Sequence, residues 1–169
     1  MKKQFDKNWL IFLVPINQEL KIANQLLHDN IQCYVPTRCA MRCWGNKKQR
    51  TTKIIAPRMI FAYINETEQN KIMELPFKIN YLLAEDKKPA TIPQEHIQTL
   101  VRILNQENIP VEFSTKCPTY TIQSYIIRGV FKGLEGFFHV IDENPHISFP
   151  FTPLGYITIP IQPTVLSYL

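Results

Sequence analysis

Glycine is scarce in this chain, with 5 in 169 residues, and no phosphate-binding loop can be assembled from them. No stretch approaches the 18 or so consecutive apolar residues of a transmembrane helix. Trp9 to Val14 is the first apolar run, and Asn17, Gln18 and Glu19 close it without a small-residue cleavage site, so no signal peptide is expected and the protein is placed in the cytoplasm. Four cysteines, Cys33, Cys39, Cys43 and Cys117, form no Cys-x-x-Cys pair. In a strand the first three would share a face, as zinc ligands can, but no His follows nearby, and free thiols are the better reading. His28, His96, His139 and His146 are scattered, and no nucleophile and base are set together. No catalytic site, no metal and no cofactor is expected, so the chain reads as a non-enzyme.

The most telling shortage is of acid. Between Asp29 and Glu66 there is none, while the same interval holds Arg38, Arg42, Lys47, Lys48, Arg50, Lys53 and Arg58. The formal charge of +5 therefore arises there, since the rest carries 12 basic and 14 acidic residues. Tyr34, Trp44, Phe61 and Tyr63 are interleaved. Basic residues with aromatics among them suit the phosphates and bases of a nucleic acid. The competing reading is a hairpin kept soluble by its charge, although such faces usually mix signs. Arg38, Arg42, Lys47, Lys48, Arg50 and Lys53 are the candidate nucleic-acid contacts.

What is present is a mixture of helical and strand periods. Trp9 to Val14 reads as a buried strand. Ile16, Leu20, Ala23 and Leu27 then recur on one helical face, with Ile22 and Leu26 beside them and Asn17 as cap. A long strand from Ile31 to about Trp44 bends near Pro36, and Gly45-Asn46 begins a turn or longer loop. Thr51 to Ile55 and Met59 to Ile64 are further strands. Asn65-Glu66-Thr67-Glu68 has the form of a capping box. Ile97, Leu100, Val101 and Leu104 mark an amphipathic helix that Pro93 can open. From Asn105 to Pro118 the pattern fades. Beyond it the period becomes two, with Ile147, Phe149 and Phe151 in one run and Ile157, Ile159 and Ile161 in another. The expected fold class is α+β: an α/β sandwich over 1–108, a linker at 109–118 and a small all-β module over 119–169.

Three of the few glycines, Gly129, Gly133 and Gly136, fall between the strand-like runs Tyr120 to Ile127 and Phe137 to Ile141. Clustered glycine there means a tight, shaped turn. With Lys132 and Glu135 it resembles the KOW motif of SH3-like barrels; an ordinary hairpin loop has the same spacing.

An α+β domain followed by a KOW-like module resembles the NusG family of transcription elongation factors. Trp9 resembles the family's aromatic-led first strand, and Cys33-Tyr34-Val35-Pro36 its strand ending in Pro. Ala56-Pro57-Arg58-Met59-Ile60-Phe61-Ala62 resembles its Pro-Gly-Tyr-apolar-Phe-Val strand. Lys88-Pro89-Ala90-Thr91-Ile92-Pro93-Gln94-Glu95-His96-Ile97 resembles its lead-in to the last helix. The family's Gly and Tyr are Arg58 and Met59 here, and its second opening aromatic is Leu10. These departures resemble a specialised paralogue, RfaH-like or of the kind that antiterminates capsular-polysaccharide operons. The resemblance implies a monomer that binds the clamp region of RNA polymerase through Trp9, Pro57, Met59 and Phe61 and suppresses pausing or termination. These four residues can equally be core. The resemblance also implies contact with upstream duplex or the non-template DNA strand, and a small-subunit ribosomal protein, Rho or RNA as partner of the KOW module. Five prolines, Pro145 to Pro163, argue for a permanent β-barrel there. The alternative is a ribosome-associated or general RNA-binding KOW protein, which would extend its basic surface onto that module. Lys116 to Leu169 carries three basic and three acidic residues.

Overall fold

A computed structural model describes residues 6–169. Two compact units divide the chain, Met1–Gln94 and Glu95–Leu169.

The first unit is built on an antiparallel pair of strands, β1 (Asn8–Leu13) and β5 (Met59–Ile64), joined in register from Asn8↔Ile64 to Leu13↔Met59. β2 (Gln32–Tyr34) adds to the outer side of β5, and the two short strands β6 (Asn80–Tyr81) and β7 (Thr91–Ile92) pair with β1. Both β1 and β5 are therefore interior strands, and their apolar runs are continuous rather than alternating, as expected where both faces are buried. On one face, Leu10, Phe12, Ile60, Ala62 and Ile64 form a core with Ile22, Ala23 and Leu26 of helix α1 (Glu19–His28) and Ile72 of helix α2 (Glu66–Met73). On the other, Trp9, Ile11 and Phe61 are also buried.

Helix α1 presents a different stripe from the expected one. Glu19, Ile22, Ala23 and Leu26 face inward, while Ile16, Leu20 and Leu27 are exposed. Asn17 does not cap the helix; it takes a φ of 62, and the helix begins two residues later with no side-chain cap. The rotation brings Glu19 inward, where its Oε1 accepts the Arg58 N–H at 2.7 Å. Helix α2 has the capping box: Asn65 accepts from the Glu68 N–H at 2.9 Å, and Glu68 accepts from the Asn65 N–H at 3.1 Å. Lys7 then pairs with Glu68 at 2.7 Å.

Between β2 and β5 the chain leaves the sheet. After Pro36 it forms β3 (Thr37–Trp44) and β4 (Lys47–Ile54), which among the described residues pair only with each other. The long loop considered from the sequence is absent. Gly45, at φ 55, and Asn46 make a two-residue turn, since glycine at the first position suits a hairpin of this length.

In the second unit, β8 (Glu112–Ser114), β9 (Ile122–Ile126), β10 (Glu135–Ile141), β11 (Asn144–Phe151), β12 (Gly155–Pro160) and β13 (Leu166–Tyr168) form one antiparallel sheet in the order β13-β9-β10-β11-β12-β8. Ile147, Phe149, Phe151, Ile157 and Ile159 are its core. Two boundaries differ from expectation. Residues 109–118 are not a plain linker, because Glu112 to Ser114 pair with Thr158 to Tyr156. Helix α3 (Gln94–Leu104), from Glu95 onward, falls with this unit rather than the first. Its Arg102 donates from Nε to the Val130 carbonyl at 3.1 Å and from Nη2 to that of Lys132 at 2.7 Å. Ile97, Leu100, Ile103 and Leu104 are buried along its apolar stripe.

Those carbonyls belong to the glycine-rich turn between β9 and β10. Gly129 and Gly133 take φ of 84 and 93, a region costly for residues with a Cβ. Gly136 has another reason to be glycine. A Cβ there would lie 2.8 Å from the Ser148 carbonyl oxygen and 2.9 Å from Ile147 Cγ1. Gly136→Ala is expected to cost about 1–3 kcal/mol through overpacking, read as a lower urea midpoint; an unchanged midpoint would show that the sheet opens there freely.

Candidate functional site

The hairpin β3–β4 gathers the basic residues singled out by the acid-free interval. Arg42, Lys47, Lys48, Arg50 and Lys53 are exposed, and no ion pair among the described residues neutralises them. Arg38, nearer the sheet, is half-buried. Directly paired residues project to the same side of a hairpin. One side therefore carries Arg38, Arg42 and Trp44 opposite Lys53, Gln49 and Lys47; the other carries Cys39, Met41 and Cys43 opposite Thr52, Arg50 and Lys48. Trp44 is 71% exposed, and the Arg42 guanidinium lies 6.0 Å from its ring centre. Cys39 and Cys43 are free thiols, as is Cys33, whose pKa burial pushes up to about 11. No cluster of three or more His, Cys, Asp or Glu able to hold a metal is found among the described residues.

The four apolar residues considered as a docking patch do not form an exposed one. Trp9 is 5% and Phe61 0% exposed. Their positions in interior strands explain this: Trp9 pairs with Tyr63 and Ile11 with Phe61. The Trp9 ring lies 5.5 Å from that of Tyr63, and its Nε1 donates to Gln94 Oε1. Phe61 lies 6.5 Å from Tyr34, whose hydroxyl burial pushes up to about 12. Pro57 is exposed and Met59 half-buried. What reaches solvent is thus the turn leading into β5 rather than the strand.

That turn has an unusual foundation. Arg58 is left-handed, at φ 65, and its backbone is held from both sides. Its N–H donates to Glu19, and its carbonyl accepts the Val14 N–H at 2.9 Å. Glu19 is 1% exposed, and its Oε2 has no hydrogen-bond partner among the described residues. Sequence reasoning missed Glu19 because an acid in the first turn of a helix is also the ordinary complement to the helix dipole.

Of the turn residues in the second unit, Lys132 and Glu135 are exposed. Gly129, Gly133 and Gly136 set the backbone described above. The sheet also holds an unanticipated polar chain. His139 Nε2 shares a 2.7 Å hydrogen bond with Ser148 Oγ, which shares one of 2.6 Å with Thr158 Oγ1. All three are buried, and they line a groove of about 530 Å³ with Glu112, Lys116 and Cys117. Period-two alternation places these residues on one side of the sheet, but an alternating Ser or Thr gives no sign that it will be covered.

The model of the family described as "Transcription termination factor nusG" matches residues 7–101, more than half of the chain. The chain belongs to the NusG family. The family is one of non-enzymatic transcription factors, and a role in transcription elongation follows at that level. A search of curated proteins returned no match. A chain in a solved structure described as "Crystal Structure of MjSpt4:Spt5 complex conformation B" is 14% identical over 95% of this chain and 96% of that one. Its TM-score is 0.30, too loose a superposition to bear on fold or partner. The NusG match spans β1 to most of α3, and so includes both the hairpin and the Arg58 turn. No helix among the described residues is long and apolar enough to cross a membrane.

Two outcomes follow from these local environments. Arg58→Gly is expected to raise stability by about 1 kcal/mol, because glycine removes the left-handed Cβ penalty while keeping the N–H that Glu19 accepts; a lowered urea midpoint would contradict it. Burial, with His146 beside it, holds the His139 imidazole below its ordinary value of 6.5. On acidification the unfolded chain protonates first, so this contribution is complete above pH 6.5 and is lost as pH falls through the lower folded value. His139→Gln is expected to flatten the fall in melting temperature between about pH 7 and pH 5.

Proposed function

We propose that this NusG-family protein is a transcription elongation and antitermination factor that binds RNA polymerase through its N-terminal unit and suppresses pausing or termination on selected operons. The NusG match over residues 7–101 carries the reading. The Pro57–Arg58–Met59 turn is the polymerase contact, with Trp9 and Phe61 as the buried support beneath it. Arg58 and Met59, where the family has Gly and Tyr, support a specialised, RfaH-like member. The hairpin β3–β4 lies against nucleic acid of the transcribing complex. The second unit serves as an SH3-like KOW module, a reading supported by the shaped glycine turn between β9 and β10, and recruits a further partner.

Phe61→Asp would be a poor test, because a charge at a fully buried position unfolds the domain. Met59 is half-buried and can be replaced with less damage. The wild-type chain is expected to co-purify with RNA polymerase, and Met59→Asp to lower the recovered polymerase roughly tenfold or more while circular dichroism stays unchanged. Wild-type chain that retains no polymerase would refute the assignment.

A further inference from the structure

The geometry points to the Trp44 side of the β3–β4 hairpin as a stacking platform for an unpaired nucleobase, so that the hairpin takes single-stranded nucleic acid in preference to duplex. This inference rests on the reading of the hairpin as a nucleic-acid surface and makes it specific to one face and one form of ligand.

The two sides of the hairpin differ. The Trp44 side carries Arg38, Arg42, Lys47 and Lys53, and the other Lys48 and Arg50. The only large aromatic of the hairpin is on the more basic side. A tryptophan 71% exposed to water is an unfavourable arrangement for a residue whose value lies in its buried area. It sits next to the tight Gly45-Asn46 turn, at the tip of the hairpin. The Arg42 guanidinium, 6.0 Å from the ring centre, steadies the indole and places a cation beside it. Lys47 stands directly across from Trp44, and Lys53 across from Arg38. An indole flanked by cations is the arrangement that takes a base on its ring and the adjoining phosphates on its charges. A duplex keeps its base faces inside the stack and offers such a ring nothing to cover. A single strand, whether DNA or RNA, offers both groups at once.

Trp44 supplies the readout. The chain has 2 tryptophans, and Trp9 is 5% exposed and hydrogen-bonded to Gln94. Quenchable emission from the full chain therefore reports Trp44. The probes are a 12-nucleotide oligothymidylate, the matching oligouridylate and a 12-base-pair duplex, each titrated at several salt concentrations. Both single strands are expected to quench the emission, or one of them if the sugar is also read; the duplex should bind more weakly and without quenching. Trp44→Ala should weaken single-strand binding roughly 5- to 100-fold, while Trp44→Phe keeps most of the affinity. Lys47→Gln should instead lower the slope of log affinity against log salt by about 0.7. Salt-dependent binding that is indifferent to Trp44, or equal affinity for the duplex, overturns the stacking inference and leaves the basic hairpin standing. Absence of binding to every probe overturns both.

Discussion

The pairing of β1 with β5 is the constraint on which the first unit depends. It links Asn8–Leu13 to Met59–Ile64 across 45 intervening residues, from Val14 to Arg58. Both strands become interior, and the direction of every side chain on them is then fixed by parity. Leu10, Phe12, Ile60 and Ala62 must meet the helices. Trp9, Ile11 and Phe61 must take the opposite face. The turn that delivers the chain into β5 has to end where Leu13 begins to pair, and the hydrogen bonds of Arg58 to Glu19 and Val14 hold it there. The exposed Pro57 and the half-buried Met59 owe their position to that closure.

Local signals in the sequence were reliable where the interaction that decides the structure is itself local. The Asn65–Glu68 capping box spans three residues and is present as expected. Of the α3 stripe Ile97, Leu100, Val101 and Leu104, all are buried but Val101, which is half-buried, and Ile103 is buried with them. The glycine cluster does shape a turn. Failures occurred where a distant group chose between local options. Helix α1 had two overlapping apolar stripes, and the amide of Arg58, 39 residues away, favoured the one containing Glu19. The family resemblance implied Trp9 and Phe61 as a docking surface, with core as the competing reading, and the interior positions of their strands, which are not written locally, bury both. The segment 109–118 looked structureless because its three strand residues gain their partners from β12.

Charge was the most legible functional signal, since like charges held together in sequence on one hairpin must remain together in space. The hairpin then divides them between two sides by register, a step that the sequence could supply only once the turn was known to contain two residues. A longer loop would have changed which cations accompany Trp44.

The hairpin's detachment from the main sheet has a consequence for how this surface can change. Among the described residues β3 and β4 pair with each other alone, and Ile54, at their base, packs against the core of the unit. A lone two-stranded ribbon contributes little to global stability. Substitutions near its tip are therefore thermodynamically insulated from the core. Such an element is free to drift in sequence and to acquire new targets, while the domain beneath it stays folded and keeps its own attachment.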